Sequence, residues 1–280
     1  MKTTLIALAS MFFAVAAYAQ NPTEKIVLNK GQKITATTSM SVTNEMMGMN
    51  TSTSSVTENL LEVKNVTDKD YTIANTLTRV KMNIEMPGNN TSYDSEKKED
   101  QTSEMGQSMA DKLNKTTELN IDNRSGRILN PSKSPEKKPT DQNNPMQGVM
   151  QMFGDNWSDE MVISGAFQLI PKGLKIGDSW KDSSAEGTQK STRTYTYASN
   201  SDSGAVIKLN MITDATSSMD FMGMNIDMTT NTNSNSDILI DGQTGLVKKI
   251  STDATITGSM QMMGQSVPLN VKMNTLSLYK

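Results

Sequence analysis

Twenty-three of the 280 residues are methionine, and the chain has neither cysteine nor histidine. The thioether is therefore the softest donor it can offer. Met46-Met47-x-Met49 and Met222-x-Met224 gather thioethers closely enough to hold Cu(I) or Ag(I), which favour soft sulfur. Against that chemistry, neighbouring residues of an extended chain point to opposite faces, and no imidazole or thiolate assists. Methionine has two other uses. Its flexible, polarizable side chain fills irregular core space, and methionine-rich faces make adaptable contacts with apolar partners.

Other chemistry is narrowed sharply. Without histidine and cysteine there is no Ser-His-Asp triad, no thiolate nucleophile and no zinc site of the usual nitrogen and sulfur ligands. Asp155, Asp159 and Glu160 cluster beside Trp157 and could pair as general acid and base. The same acids suit a helix N-terminus. No Ser-x-x-Lys or calcium-loop pattern stands in a fitting context. The chain reads as non-enzymatic, with no cofactor. Lys plus Arg number 27 against 30 Asp plus Glu, a net charge of −3, and no basic run interleaves with aromatics. That balance speaks against a nucleic-acid partner.

The compartment is written at the N-terminus. Lys2 supplies a basic region, Leu5 to Ala17 an apolar run, and Ala17-Tyr18-Ala19 a small-x-small cleavage site before Gln20. The run is shorter than the roughly 20 apolar residues of a spanning helix. A leader cleaved between Ala19 and Gln20 implies export, to the periplasm or beyond, of a protein that does not span the membrane. With no cysteine at the site, lipidation of the bacterial-lipoprotein kind is excluded. The remainder has no disulfide to lean on and must be held by its own core.

The elements that position the methionines read as long hairpins. EMMGMN (45–50) returns as DFMGMN (220–225) and as QMMGQS (261–266). If Met263-Gly264 is a two-residue hairpin loop, Met260 faces Val267, Gly258 faces Leu269, Ile256 faces Val271 and Ala254 faces Met273. The residues between are mostly polar, so a slip of one position would scramble both faces. The same rule at Met222-Gly223 sets Met219 against Ile226, Ile207 against Ile238 and Ala205 against Ile240. At Met47-Gly48 it sets Ile34 against Leu61, but Met40 and Val42 against serine and threonine. Pro87-Gly88 makes a fourth turn behind Val80, Met82 and Ile84. Strands at 245–262 and 265–279 would be about three times the usual five or six residues, and strands so long must twist and curl.

Two further stretches, IDNRSGRI (121–128) and IDGQTGLV (240–247), share the pattern I-D-x-[RQ]-[ST]-G-x-[IV]. There Asp can bond backbone ahead of it while the late Gly turns a bulged corner. One such corner closes each half of the chain, as in a diverged repeat whose first copy carries a charged insertion from about Tyr93 to Asn114. The stretch 130–145 holds four prolines and nothing apolar. After it, Asn144 caps a helix with Met146, Val149, Met150 and Phe153 on one face, and Ser158 caps a second through about Phe167. The predicted order is signal peptide (1–19), N-terminal β half (20–130), proline-rich linker (131–145), helical segment (146–170) and C-terminal β half (171–280). The fold class is mainly β: a long curled antiparallel sheet or partial barrel of hairpins, with one or two helices covering the concave face.

The stretch LIPKGLKIGDSWKD (Leu169 to Asp182), the leader ending in Ala-Gln and the D-x-x-[ST]-G corners carry a resemblance. The chain resembles an uncharacterised secreted family typical of Bacteroidetes, one of the domain-of-unknown-function families. That family has no established activity, so the resemblance implies no site residues. At the level of fold, the layout is more distantly similar to periplasmic lipoprotein carriers such as LolA.

The candidate ligand face consists of Met82, Met211, Met219, Met228, Met260 and Met273, all at inferred inward positions, as is Met40. Trp180, after the Gly177-Asp178 turn, joins them as a stacking platform or as core. The partner expected there is a lipid-like or other apolar ligand, or an envelope protein. Cu(I) or Ag(I) binding and a purely structural envelope or surface role are the alternatives.

Overall fold

A computed structural model describes residues 24–46, 49–130, 159–221, 224–262 and 265–280. Alternation of apolar or small residues with polar ones, in segments rich in Thr, Val and Ile, makes strands. The first five are β1 (Lys33–Met46), β2 (Met49–Val66), β3 (Asp70–Met86), β4 (Asn89–Asp94) and β5 (Thr116–Asp122). The rest are β6 (Ser179–Glu186), β7 (Gln189–Ser201), β8 (Gly204–Phe221), β9 (Met224–Ile240), β10 (Val247–Met262) and β11 (Gln265–Tyr279). Three short helices complete the described elements: α1 (Lys98–Gln101), α2 (Glu104–Met109) and α3 (Asp159–Gly165).

All eleven strands form one antiparallel sheet in the order β4-β3-β2-β1-β11-β10-β9-β8-β7-β6, with β5 beside β4 along β3. The sheet is not closed. Most neighbours are consecutive hairpins; the junction of β1 with β11 joins the two ends of the chain in mid-sheet. There Thr35 and Lys280 exchange backbone hydrogen bonds of 2.7 and 3.0 Å. The mainly β class is as the sequence implies.

The registers follow the turn rule. Met260 pairs with Val267, Gly258 with Leu269, Ile256 with Val271 and Ala254 with Met273. Ile207 pairs with Ile238 and Ala205 with Ile240, while Ile34 pairs with Leu61. A register shift opposite Glu58 and Asn59 moves the buried positions of β3 from Ile73 and Asn75 to Val80, Met82 and Ile84.

The two corners have one geometry. At the first, the Asp122 carboxylate accepts from the amides of Arg124 and Ser125 (3.1 and 2.7 Å), and Gly126 donates to the Asp122 carbonyl at 2.9 Å. At the second, Asp241 accepts from Gln243 and Thr244 (2.9 and 3.1 Å), and Gly245 donates to the Asp241 carbonyl at 2.9 Å. Gly126 and Gly245 sit at φ of 69° and 73°, a region that favours glycine.

Between the corners runs an N-terminal strap the hairpin pattern does not reveal. Ile26 donates to the Asn123 carbonyl at 2.7 Å and Val27 to that of Thr244 at 2.9 Å. The buried Tyr71 hydroxyl donates to the Ile26 carbonyl at 2.8 Å. The main core gathers here: Ile26, Leu28, Ile34, Leu61, Ile73, Ile121, Ile207, Ile240 and Tyr279 share it with Ile163 of α3 and Phe167. Helix α3 falls within the predicted second helix and ends at Gly165, before Phe167, which makes a β-bridge with Leu246; Ser158 and the predicted helix of 145–153 lie outside the described residues, as does the linker.

The charged insertion has a core of its own. Ser103 accepts from the Gly106 amide at 3.1 Å and starts α2, whose Met105 and Met109 are buried against Val80, Met82, Ile84 and Tyr93. This satellite core lies at the β4 end of the sheet.

Candidate functional site

One face of the sheet carries the cores and helices, and its lateral rows show what the methionines can do. A single row crosses ten strands. It runs Tyr93, Met82, Ser55, Met40 and Thr275 from β4 to β11. It continues through Thr252, Ser236, Leu209, Tyr195 and Trp180 to β6. Along it, at about 4.8 Å per strand, methionines and aromatics occupy the ends and hydroxyls the centre.

The predicted residues take different places on this inner face. Met228 and Met260 stand directly opposite each other on β9 and β10. Met273 lies between Val42 and Ala254, and Met211 opposite Ser234. Met82 belongs to the satellite core with Met105 and Met109. Met82 and Met260 are buried, whereas Met211, Met228 and Met273 are half-buried. Met219 pairs with Ile226 in backbone register, its side chain outside the described set. The side chains of Met46, Met47, Met49, Met222 and Met224 are outside it too.

Trp180 is half-buried against the main core and stacks on Tyr195 with ring centroids 5.0 Å apart and planes 8° from parallel. Such a pair contributes about 0.5–1.5 kcal/mol beyond its buried area. Burial raises the pKa of the hydroxyls of Tyr195, Tyr197 and Tyr279, so all three stay neutral at physiological pH. Gly177, at φ 97°, and Asp178, whose carboxylate accepts from the Lys175 amide at 2.8 Å, form the turn before β6. Arg193 and Asp182 make an ion pair of 3.2 Å beside it.

The methionine count gives no sign of the hydroxyl belt among these side chains. Thr38 bonds Ser277 at 2.9 Å, Ser236 bonds Thr252 at 2.8 Å and Ser191 bonds Thr213 at 2.9 Å. Each pair spans neighbouring strands and uses at least one hydroxyl proton, so part of the polar composition of this face is taken up in hydrogen bonding, while Asn44 of β1 keeps a buried Oδ1 without a partner. The signal lies in β9, where Thr232, Ser234 and Ser236 take inward positions between Ile226 and Ile238.

Of the three clustered carboxylates, Asp159 and Glu160 open α3. Asp159 accepts from the Nδ2 of Asn75, a residue 1% exposed, at 2.5 Å, tying α3 to β3. Asp155 and Trp157 are outside the described residues.

A family model described as a family of unknown function, DUF6263, matches residues 68–247. The chain belongs to that family. No curated protein matches it. Among solved structures, lipovitellin, described for its lipid–protein interactions, is similar over 91% of this chain at 11% identity and a TM-score of 0.49. The match covers 25% of the lipovitellin chain, so this chain spans about a quarter of it. An outer membrane channel from Pseudomonas putida F1 is similar over 93% of this chain and 99% of its own, at 10% identity and a TM-score of 0.27. OpdQ of Pseudomonas aeruginosa is similar over 90% and 99% at 4% identity and a TM-score of 0.25. No helix among the described residues is long and apolar enough to cross a membrane.

Proposed function

We propose that this family member is an exported, non-enzymatic β protein that binds an apolar ligand, or an apolar segment of an envelope partner, on its inner face. One observation carries the reading. Half-buried Met211, Met228 and Met273 share that face with hydroxyls of which several are paired across strands, and Arg193, opposite Met211, is paired with Asp182. An apolar guest there strands few hydrogen-bonding groups, and thioether side chains adapt to its shape. Export rests on Lys2, the run Leu5 to Ala17 and Ala17-Tyr18-Ala19, with cleavage before Gln20. The Bacteroidetes setting and the likeness to lipoprotein carriers belong to the same reading, as does the lipid-like character of the guest.

The test is thermal. Tetradecanoate and a neutral naphthylamine dye are titrated into mature protein and into Met228→Lys. Binding at 100 times Kd adds about 2.7 kcal/mol to stability. The expected result is a rise in Tm for the wild type that the lysine variant loses. No rise for the wild type with either probe, or an equal rise in both proteins, refutes the reading. A rise with Cu(I) alone under reducing conditions would favour thioether ligation instead.

A further inference from the structure

The opposite face of the sheet carries two shallow grooves that no methionine chemistry explains. The larger, about 600 Å³, crosses the strand ends near Thr43, Ser52 and Lys272. The second, about 460 Å³, crosses five strands, from β3 to β10, in the middle of the sheet. It lies between two lateral rows of outward side chains. In one row Val56 and Leu276 flank Ser39. In the next, Ser54, Ser41 and Asn274 stand side by side. Lys81 and Asp253 mark opposite ends of the groove.

We infer that this outer groove binds a neutral glycan chain lying across the strands. The chemistry of the walls selects the class. Val56 and Leu276 give the groove two apolar contacts, suited to the C–H face of a pyranose ring. Serine hydroxyls and the Asn274 carboxamide each donate and accept, as sugar hydroxyls do. Charges of opposite sign at the two ends give no field for a polyanion. An extended peptide is a poorer match, because the floor is mid-sheet backbone whose groups are spent in the β1–β2 and β1–β11 ladders. A long acyl chain would bury the hydroxyl rim unpaired. The site is on the face opposite the one proposed for an apolar ligand and stands independently of it.

The experiment is an amide chemical-shift titration of the mature protein with cellohexaose, maltohexaose and chitohexaose. The expected result is saturable shifts at Ser39, Ser54, Asn274 and Leu276 with at least one of the three. The pair Ser54→Ala and Asn274→Ala should weaken that binding about tenfold, the loss of two ordinary hydrogen bonds. Val56→Asp should abolish it, and Met228→Lys should leave it unchanged. Because Ser54 and Asn274 are exposed, their alanine variants keep the fold even if Val56→Asp does not. No shift with any of the three oligosaccharides overturns the inference. So does binding that survives the alanine pair, or the same amides responding to tetradecanoate or to a Gly-Ser peptide instead.

Discussion

Tyr71→Phe isolates the tie between the strap and the two corners. The change removes one oxygen from a side chain that is 4% exposed and leaves its ring in place. That oxygen donates to the Ile26 carbonyl at 2.8 Å and stands 3.4 Å from the Leu28 amide. Ile26 is fully buried, so water cannot replace the lost donor. Leaving a buried carbonyl unsatisfied costs about 1–3 kcal/mol. The Leu28 contact, at 3.4 Å, adds little. In a protein of this size each kcal/mol lowers Tm by about 2–4 °C, so calorimetry should record a fall of about 2–12 °C. Hydrogen exchange supplies the second readout: the amides of Ile26 and Val27, which bond Asn123 and Thr244, should lose protection before the β8–β9 hairpin does. A Tm within about 1 °C of wild type, by the same conversion, would mean that the strap does not hold the corners together.

Two other perturbations probe the same end of the molecule. A Cβ on Gly165 would stand 2.7 Å from the Tyr279 hydroxyl, so Gly165→Ala should destabilise by about 1–3 kcal/mol. Tyr279→Phe in the same chain should recover part of the loss, and strict additivity in the double-mutant cycle would refute the contact. At Asp241, burial pushes the carboxyl pKa up, but the amides of Gln243 and Thr244 and the Lys248 ammonium outweigh it and hold the net value below 3.8. The stability contributed by its charge is therefore complete above the unfolded value and is lost as pH falls through the folded one. Asp241→Asn should cost most near neutral pH and progressively less toward about pH 3 in thermal melts; a difference that widens on acidification contradicts the assignment.

Much of the fold could be read from local chemistry. Hairpins joined by two-residue loops leave one register free of clashes between faces, which is why Met260 meets Val267 and Ile207 meets Ile238 as the turn rule requires. The corners were legible because Asp and Gly have separate, necessary jobs there. Non-local features had no such marker. Nothing in Lys33–Met46 or Gln265–Tyr279 announces that β1 pairs with β11, since both look like any half-buried strand. Met105 and Met109 stand four apart, as a helix face requires, but within a charged stretch too short for a clear period. The outer groove was invisible for a different reason. Val56 and Leu276 are far apart in the chain and lie on the nominally solvated face, where a single apolar residue is ordinary.

The two corners share their hydrogen bonds but continue into different sequence. After Asp241 the chain turns at Gly245 and continues as β10 for 16 residues, which lets β11 return to pair with β1. After Asp122 it turns at Gly126 with the same hydrogen bonds, and among the described residues, which stop there at Asn130, the return consists of the Ile121–Ile128 bridge and the Leu129 amide bonded to the Asn120 carbonyl at 2.7 Å. The sequences after each glycine differ: Leu246-Val247-Lys248-Lys249-Ile250 continues with strand-forming residues, whereas Pro131 has no amide to donate. At that end of the sheet β5 pairs with β3 from Thr116 to Asp122, and the satellite core of α2 packs on the inner face. At the other end β6, with Asp182 and its partner Arg193 beside the edge, places charge where another strand would have to dock.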